Sequence, residues 1–468
     1  MNFWKTTTIY GVGFIALRAI SFLLLPLYTN LLSNTEAGWV FIIYTLLALL
    51  NVFYTHGMNA ALLKFFHSSN KQEIVTTSTI YAIISSIALS LFLFTVYSIY
   101  AKTAGENHHL IVIFMLIIAS LDMLSAKNNI ILRLLERPLY YLFICLVNVL
   151  LSIGLNIYFI QICNQGIMGA IHSLLIVAII QFLLLTPIMW SFIRITLFNY
   201  RLLLQMLTVG MSFFPAAVFF VFIELSDRWM LGYLLNIHEV GLYGAGYKIG
   251  SVVLLFVNSF NLNWQPYYLK TKLNKGMPVF EKIGTGFILI LVFISTILAS
   301  FWPILFNIKL GSYSLIGQDF WEGGRIIPII CISYIFYGIF ILQIPSIFLK
   351  TKQKWAPIIW GSGLIINVLS NLVLIPVYGM FGAAYATLFA YITMSAIIIF
   401  KNYRWMRLKY NLQQIFSFII ISLGIYWISH AIIIYNNIWF IMGVVIVYSG
   451  IGAIYIIKAY KELKITAQ

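Results

Sequence analysis

The chain has 468 residues, 62% of them hydrophobic and only 9% charged. With a mean hydropathy of +0.98, this excludes a water-soluble domain, which carries about 25% charged residues. Its 28 Lys and Arg outnumber 12 Asp and Glu, for a formal charge of +16.

A bilayer core takes about 20 apolar residues per helix, and stretches of that kind recur from Thr6 to Ile457. In chain order they centre near Ala16, Leu46, Ala88, Leu116, Val149 and Ile176, then near Ala217, Leu254, Leu291, Tyr337, Ile366 and Phe389, and finally near Leu423 and Val445. The expectation is an all-α membrane protein of about fourteen transmembrane helices. The first stretch is too long and uniformly apolar for a cleaved signal peptide and is expected to stay as a helix. No polar segment of domain size and no G-x-x-x-x-G-K-[ST] phosphate loop occurs, which argues against a catalytic domain or ATP hydrolysis.

Positive charge falls in alternate connections. One set holds Lys64/Lys71, Lys127/Arg133/Arg137, Arg194/Arg201, Lys270/Lys272/Lys275/Lys282, Lys350/Lys352/Lys354, Lys401/Arg404/Arg407/Lys409 and the tail Lys458/Lys461/Lys464. The other holds chiefly Lys102, Lys309 and Arg325. The positive-inside rule then places both termini in the cytoplasm, a parity that needs an even number of spans. The basic excess is thus a topology signal, and no nucleic-acid partner is expected.

The sequence also repeats itself. Leu31-Leu32-Ser33-Asn34-Thr35-Glu36-Ala37-Gly38-Trp39 returns as Leu234-Leu235-Asn236-Ile237-His238-Glu239-Val240-Gly241-Leu242. A weaker echo links Asn156 and Gly166-Ile167-Met168-Gly169-Ala170 to Asn371 and Gly379-Met380-Phe381-Gly382-Ala383. Internal repeats in an apolar chain mark secondary transporters, in which substrate sits between two related halves.

Few polar groups lie at membrane depth, so those few carry the functional information. Arg18 falls near the middle of span 1 and Lys248 near the middle of span 8, each costing about 2.5–3.5 kcal/mol if it faced lipid at a helix centre. A polar cavity that admits an anionic ligand is one explanation. Snorkelling or a structural ion pair is the other for Arg18. For Lys248 the structural alternative is a stem tucked into a helix made close-packing by Gly241, Gly244, Gly246 and Gly250. Glu224 and Arg228 are spaced i,i+4 and can neutralise one another on a helix face. In the rival reading, Glu224, Asp227 and Asp122 are candidates for coupling transport to an ion gradient.

Pro26, Pro187, Pro215, Pro345 and Pro376 lie in or near the ends of apolar stretches, where proline bends a helix. Trp39, Trp264, Tyr267, Tyr268, Trp302 and Trp321 cluster near expected span ends, as interfacial aromatics do. Cys145, Cys163 and Cys331 sit in apolar surroundings without C-x-x-C spacing and read as packing residues. His108-His109, in a connection, reads as a solvated pair, and neither metal nor cofactor is expected.

These residues also carry a resemblance. Asp227-Arg228, Leu231-Gly232-Tyr233 and Glu239-Val240-Gly241-Leu242-Tyr243-Gly244-Ala245-Gly246-Tyr247-Lys248 together resemble the signature of bacterial polysaccharide repeat-unit flippases, the Wzx-type O-antigen transporters. So do the opening Arg18-x-x-Ser21-Phe22 to Pro26-Leu27-Tyr28-Thr29, and Asn371 to Gly379-x-x-Gly382-Ala383-Ala384. The resemblance implies a member of the multidrug/oligosaccharidyl-lipid/polysaccharide exporter (MOP) superfamily, with two six-helix bundles in a V around a central cavity. Residues 1–201 and 202–409 would be the bundles. Residues 410–468 would add two helices, uncharged from Asn411 to Ile457, that help receive a lipid tail.

What the resemblance further implies is a transporter, not an enzyme. It would move undecaprenyl-diphosphate-linked oligosaccharide across the bacterial cytoplasmic (inner) membrane by alternating access, for O-antigen, lipopolysaccharide or capsule assembly. Arg18, Lys248, Lys64 and Arg228 would hold the diphosphate, with Arg offering bidentate hydrogen bonds. Lys64, near the cytoplasmic end of span 2, is similar to a basic position common in relatives and would meet it first. Membrane lipids and a polysaccharide polymerase complex are the implied partners. A cation-coupled multidrug exporter would favour twelve spans and acidic cavity residues, a role open to Asp122, Glu224 and Asp227. A lipid II flippase would carry several basic residues in the first half, where the sequence offers Arg18. A membrane glycosyltransferase would need a sizeable exposed loop, which is absent from the sequence.

Overall fold

The computed structural model describes residues 13, 16–17, 20, 22–66, 70–105, 108–135, 137–270, 273–310, 313–350, 352, 354–433 and 438–467. The N-terminal helices are α1 (Leu25–Leu31), α2 (Asn34–Thr55), α3 (Met58–Phe65), α4 (Lys71–Ala104), α5 (His109–Leu134), α6 (Pro138–Asn156) and α7 (Gly166–Trp190). There follow α8 (Tyr200–Leu234), α9 (Ile237–Gly250), α10 (Val252–Lys270), α11 (Leu273–Asn307), α12 (Ile327–Gln343) and α13 (Pro345–Leu349). The last four are α14 (Trp355–Tyr378), α15 (Met380–Trp405), α16 (Leu412–Ile433) and α17 (Ile438–Ala467). The one departure from helix of any sheet type among the described residues is a two-stranded antiparallel ribbon, Lys309–Leu310 with Tyr313–Ser314.

Eleven helices among the described residues are long and apolar enough to cross a membrane, or twelve if the bent pair α9 and α10 forms one span. Every expected centre from Leu46 to Leu423 falls on one of them. Val445 falls on a shorter apolar piece, Gly443–Ala459, and Ala16 is surrounded by residues outside the described set. The protein is therefore a multi-pass membrane protein, and eleven or twelve of the expected fourteen spans fall among the described residues.

The repeated motif is a helix start. Ser33 caps α2 by accepting from Glu36 N at 3.3 Å, while Ser33 N donates back to the Glu36 carboxylate at 3.0 Å. Asn236 caps α9 in the same way, accepting from Glu239 N at 2.9 Å. Each cap satisfies amide donors that the first helical turn leaves free, so the duplicated residues are those that begin a helix.

Two breaks matter for the sites. His56 and Gly57 have φ of 47° and 68° and separate α2 from α3. A Cβ on Gly57 would stand 2.1 Å from the Gly210 carbonyl oxygen of α8, so glycine is required for that approach. Between α9 and α10 the axis bends by 47°. There Gly246 packs on the Gly323 carbonyl of the turn Gln318–Ile326, where an added Cβ would lie 1.8 Å from the oxygen.

Contacts divide the chain into two compact units, Met1–Phe222 and Ile223–Gln468, with the division inside α8. In the N-terminal unit Ile43, Leu47 and Tyr54 of α2 pack with Met115, Ile118 and Met123 of α5 and Ile171 and Ala178 of α7. In the C-terminal unit α12, α14 and α15 pack together, and α16 and α17 both lie against α11.

Candidate substrate and coupling sites

Four of the expected site residues meet in the C-terminal unit. Glu224, Asp227 and Arg228 lie on consecutive turns of α8, and Lys248 lies in the last turn of α9. The first three are buried, at 7%, 0% and 6% exposure, and Lys248 is half-buried. Lys248 is close enough to Arg228 for the two positive charges to repel. Its place is also electrostatically natural, because the carbonyl end of a helix favours a cation.

The Glu224–Arg228 pairing expected from i,i+4 spacing is not the one that forms. Arg228 Nη1 lies 3.2 Å from Asp227 Oδ1 and donates to the Glu224 backbone carbonyl at 2.9 Å. Its guanidinium stacks 4.2 Å from the centroid of Tyr247 and 5.7 Å from that of Tyr243. Tyr243 donates to the other Asp227 oxygen. The spacing argument considered only side chains on one helix face and overlooked the acid next door and the aromatic helix α9 opposite.

Freed from Arg228, the Glu224 carboxylate is taken by phenols from three helices. Tyr334 of α12 donates to Oε2 at 2.9 Å, Tyr247 of α9 approaches the same oxygen at 3.1 Å, and Tyr391 of α15 donates to Oε1. Tyr247 and Tyr334 are themselves 2.5 Å apart, oxygen to oxygen. An ionised carboxylate offers about four acceptor positions, so this cage satisfies a buried charge without a cation. The tyrosines were not singled out as site residues from sequence. Tyr243 and Tyr247, one helical turn apart, offered a signal; Tyr334 and Tyr391 are remote in the chain and offered none.

The N-terminal unit holds Lys64 and Asp122 apart from any ion pair among the described residues. Lys64 is exposed in the last turn of α3, 5.6 Å from the Phe65 ring centroid. Asp122 is half-buried in α5. Arg18 and Ser21 lie outside the described residues.

Three further expectations change. Lys127, counted with Arg133 and Arg137 as a connection residue, is inside α5 and 2% exposed. The polar run Ser125-Ala126-Lys127-Asn128-Asn129 is followed by the apolar Ile130-Ile131-Leu132, and the helix continues through both to Leu134. Trp264 and Tyr268 are buried, packed with Phe260 and Phe280 or Phe348, so they do not belong to an interfacial belt. Cys163 is exposed, whereas Cys145 and Cys331 are buried.

Residues 3–272, more than half of the chain, match the family described as polysaccharide biosynthesis protein. The chain belongs to that family. No curated protein matches it. Among solved structures, this polysaccharide biosynthesis protein is similar in fold to the lipid II flippase MurJ in an inward closed conformation, with 14% identity over 97% of this chain and 98% of that one and a TM-score of 0.72. It is similar to an inward-facing multidrug resistance MATE family transporter of the MOP superfamily, at 12% identity, 86% and 98% coverage and a TM-score of 0.60. A MOP superfamily transporter from Pyrococcus furiosus matches at 13% identity, 85% and 95% coverage and a TM-score of 0.54. The chain is thus a multi-pass membrane protein of the polysaccharide biosynthesis family with a fold like those of MurJ and the MATE transporters.

Proposed function

We propose that the protein moves undecaprenyl-diphosphate-linked oligosaccharide repeat units from the inner to the outer leaflet of the cytoplasmic membrane, for O-antigen or capsule assembly. The family match over residues 3–272 carries this reading. Lys248, in the last turn of α9, is the residue of the C-terminal unit that would meet the anion in this reading. In this reading Lys248, Lys64 and Arg18 meet the diphosphate, and Arg228, held by Asp227 and Tyr247, joins them when that pairing opens. Glu224, Asp227 and Asp122 are the candidates for ion coupling. Residues 1–201 and 202–409 act as two bundles that alternate in access, 410–468 as an appended pair, and both termini face the cytoplasm.

A lipid II cargo is the second reading, and Lys127 is the observation in its favour, since it adds a buried base to the N-terminal half. The deciding experiment measures which leaflet exposes lipid-linked glycan in two strains, one lacking a repeat-unit flippase and one depleted of a lipid II flippase. Expression of this chain restores outward exposure in the first and leaves the second blocked. Rescue of the second alone transfers the assignment to lipid II, and rescue of neither removes both.

A further inference from the structure

Beside Glu224 the close oxygen pairs outnumber the phenolic protons. Glu224 Oε2, Tyr247 Oη and Tyr334 Oη form a triangle, with sides of 3.1 Å and 2.9 Å to the carboxyl oxygen and 2.5 Å between the phenols. All three are hydrogen-bonding separations, and three hydrogen bonds need three protons. The phenols bring one each. When both donate to Oε2, the phenolic oxygens face one another at 2.5 Å with no hydrogen between them. A proton on Oε2 completes the set. The carboxyl then donates to Tyr247, Tyr247 to Tyr334, and Tyr334 back to Oε2, a closed ring whose members polarise one another. Tyr391 donates to Oε1, the carbonyl oxygen of the protonated group.

The neighbouring charges leave this role to Glu224. On α8, Asp227 is held by Arg228 and Tyr243, and Arg228 also donates to the Glu224 backbone carbonyl. On α9, Lys248 lies close to Arg228. On α12 and α15 the titratable neighbours are the buried phenols Tyr334, Tyr337 and Tyr391. The carboxyl group itself is thus met by O–H groups from three helices.

We infer that Glu224 is a proton site, and that Tyr247, Tyr334 and Tyr391 make it select a proton over sodium. Hard cations are held by oxygen lone pairs, and here those of the carboxylate are already met by donors. When the proton leaves, the Oε2–H bond breaks, its electron pair stays on the carboxylate, and both phenols turn their protons to Oε2. The direct hydrogen bond between α9 and α12 is then lost. Tyr247 precedes Lys248, so the change arises beside the base that meets the anion in the flippase reading. A coupling role rests on that reading; proton binding rests on the geometry of the triangle.

The test uses the full chain in phosphatidylcholine nanodiscs, with infrared difference spectra recorded between about pH 5 and about pH 9. The wild type shows the C=O stretch of a protonated carboxyl, which fades as the pH rises. Glu224→Gln, of similar size, lacks that band, and Asp122→Asn keeps it. The tyrosine C–O band changes with the same midpoint, because Tyr247 and Tyr334 exchange hydrogen-bond partners, and Glu224→Gln lacks this change as well. Replacing potassium by sodium at constant ionic strength leaves the midpoint in place.

A carboxyl band that survives Glu224→Gln overturns the inference, and a tyrosine band that ignores the titration overturns the ring. Sodium competing for the same carboxylate lowers the proton affinity by about tenfold for each tenfold rise in sodium, by linkage, and that result overturns the selectivity. If Glu224 titrates as described yet collapse of a pH gradient leaves cargo movement in vesicles unchanged, the coupling role fails and the proton site stands.

Discussion

Glu36 and Gly166 meet across the N-terminal unit: a Cβ on Gly166 would lie 2.8 Å from Glu36 Oε1. Glu239 and Gly379 stand in the same relation in the C-terminal unit, with 3.7 Å between the corresponding points. Both glutamates are the third residue of a capped helix, and both glycines have positive φ, 52° and 55°, at the start of another helix. The two echoes in the sequence are thus one structural device used twice, an acid in the first turn of a capped helix set against a glycine of positive φ. This duplication is what the fold requires of residues so far apart in the chain.

Gly379 is the less replaceable of the two glycines. Its φ of 55° and ψ of −134° lie in a region that side chains with a Cβ scarcely enter. Gly379→Ala is expected to destabilise the solubilised protein by about 1–3 kcal/mol. Gly424→Ala, at a helical position with nothing within 4 Å of the new Cβ, serves as the control and should lose nothing. Thermal unfolding of both variants in one detergent checks this; equal melting would show that the turn relaxes freely.

Arg228 illustrates what was legible in the sequence and what was not. The apolar stretches, the repeated motif and the grouping of Glu224, Asp227 and Arg228 on one span follow from composition and local spacing, which are properties of consecutive residues. The partner of each charge does not, because it depends on α9, α12 and α15, brought in from residues 243, 247, 334 and 391. Lys127 was misread for the opposite reason. A short polar run looks the same in a loop and in a helix that buries it inside a bundle, and only packing tells them apart.

The Asp227–Arg228 pair should behave as a buried ion pair with additional ligands. Removing either partner leaves the other charged, buried and short of hydrogen bonds, a loss of about 3–5 kcal/mol. Asp227→Asn and Arg228→Met are therefore each expected to lower membrane abundance, with the double variant recovering part of the loss. Quantitative blotting of membrane fractions with a fluorescence thermal-shift assay measures it. Additive losses would mean that the two side chains do not act as a pair.

Glu224 is expected to separate stability from coupling. Glu224→Gln keeps the size of the side chain and an acceptor for one phenol, so the variant should reach the membrane. In transport it should lose its dependence on an imposed proton or sodium gradient, while Tyr391→Phe, which removes one donor to the same carboxylate, should shift that dependence without abolishing it. Vesicles with the gradient set and then collapsed by ionophore give the comparison. A Glu224→Gln variant that responds to the gradient as the wild type does would exclude this acid from coupling and turn attention to Asp122.

Lys248 and Arg18 make the sharpest demand on the flippase reading, because neither is expected to be needed for folding. Lys248 sits half-buried in the last turn of α9, and its replacement by alanine removes a charge without opening the Glu224 cage, which Tyr247, Tyr334 and Tyr391 form independently. Lys248→Ala and Arg18→Ala should each abolish complementation of a repeat-unit flippase-null strain at unchanged abundance. Lys64→Ala, at an exposed position, should reduce the initial rate at low cargo level and recover at high level, the behaviour of a residue that captures the anion first. Assays of surface glycan at graded cargo expression discriminate the two patterns. Full complementation by both Lys248→Ala and Arg18→Ala would take these bases out of the transport cycle, and the diphosphate would then have to be held elsewhere.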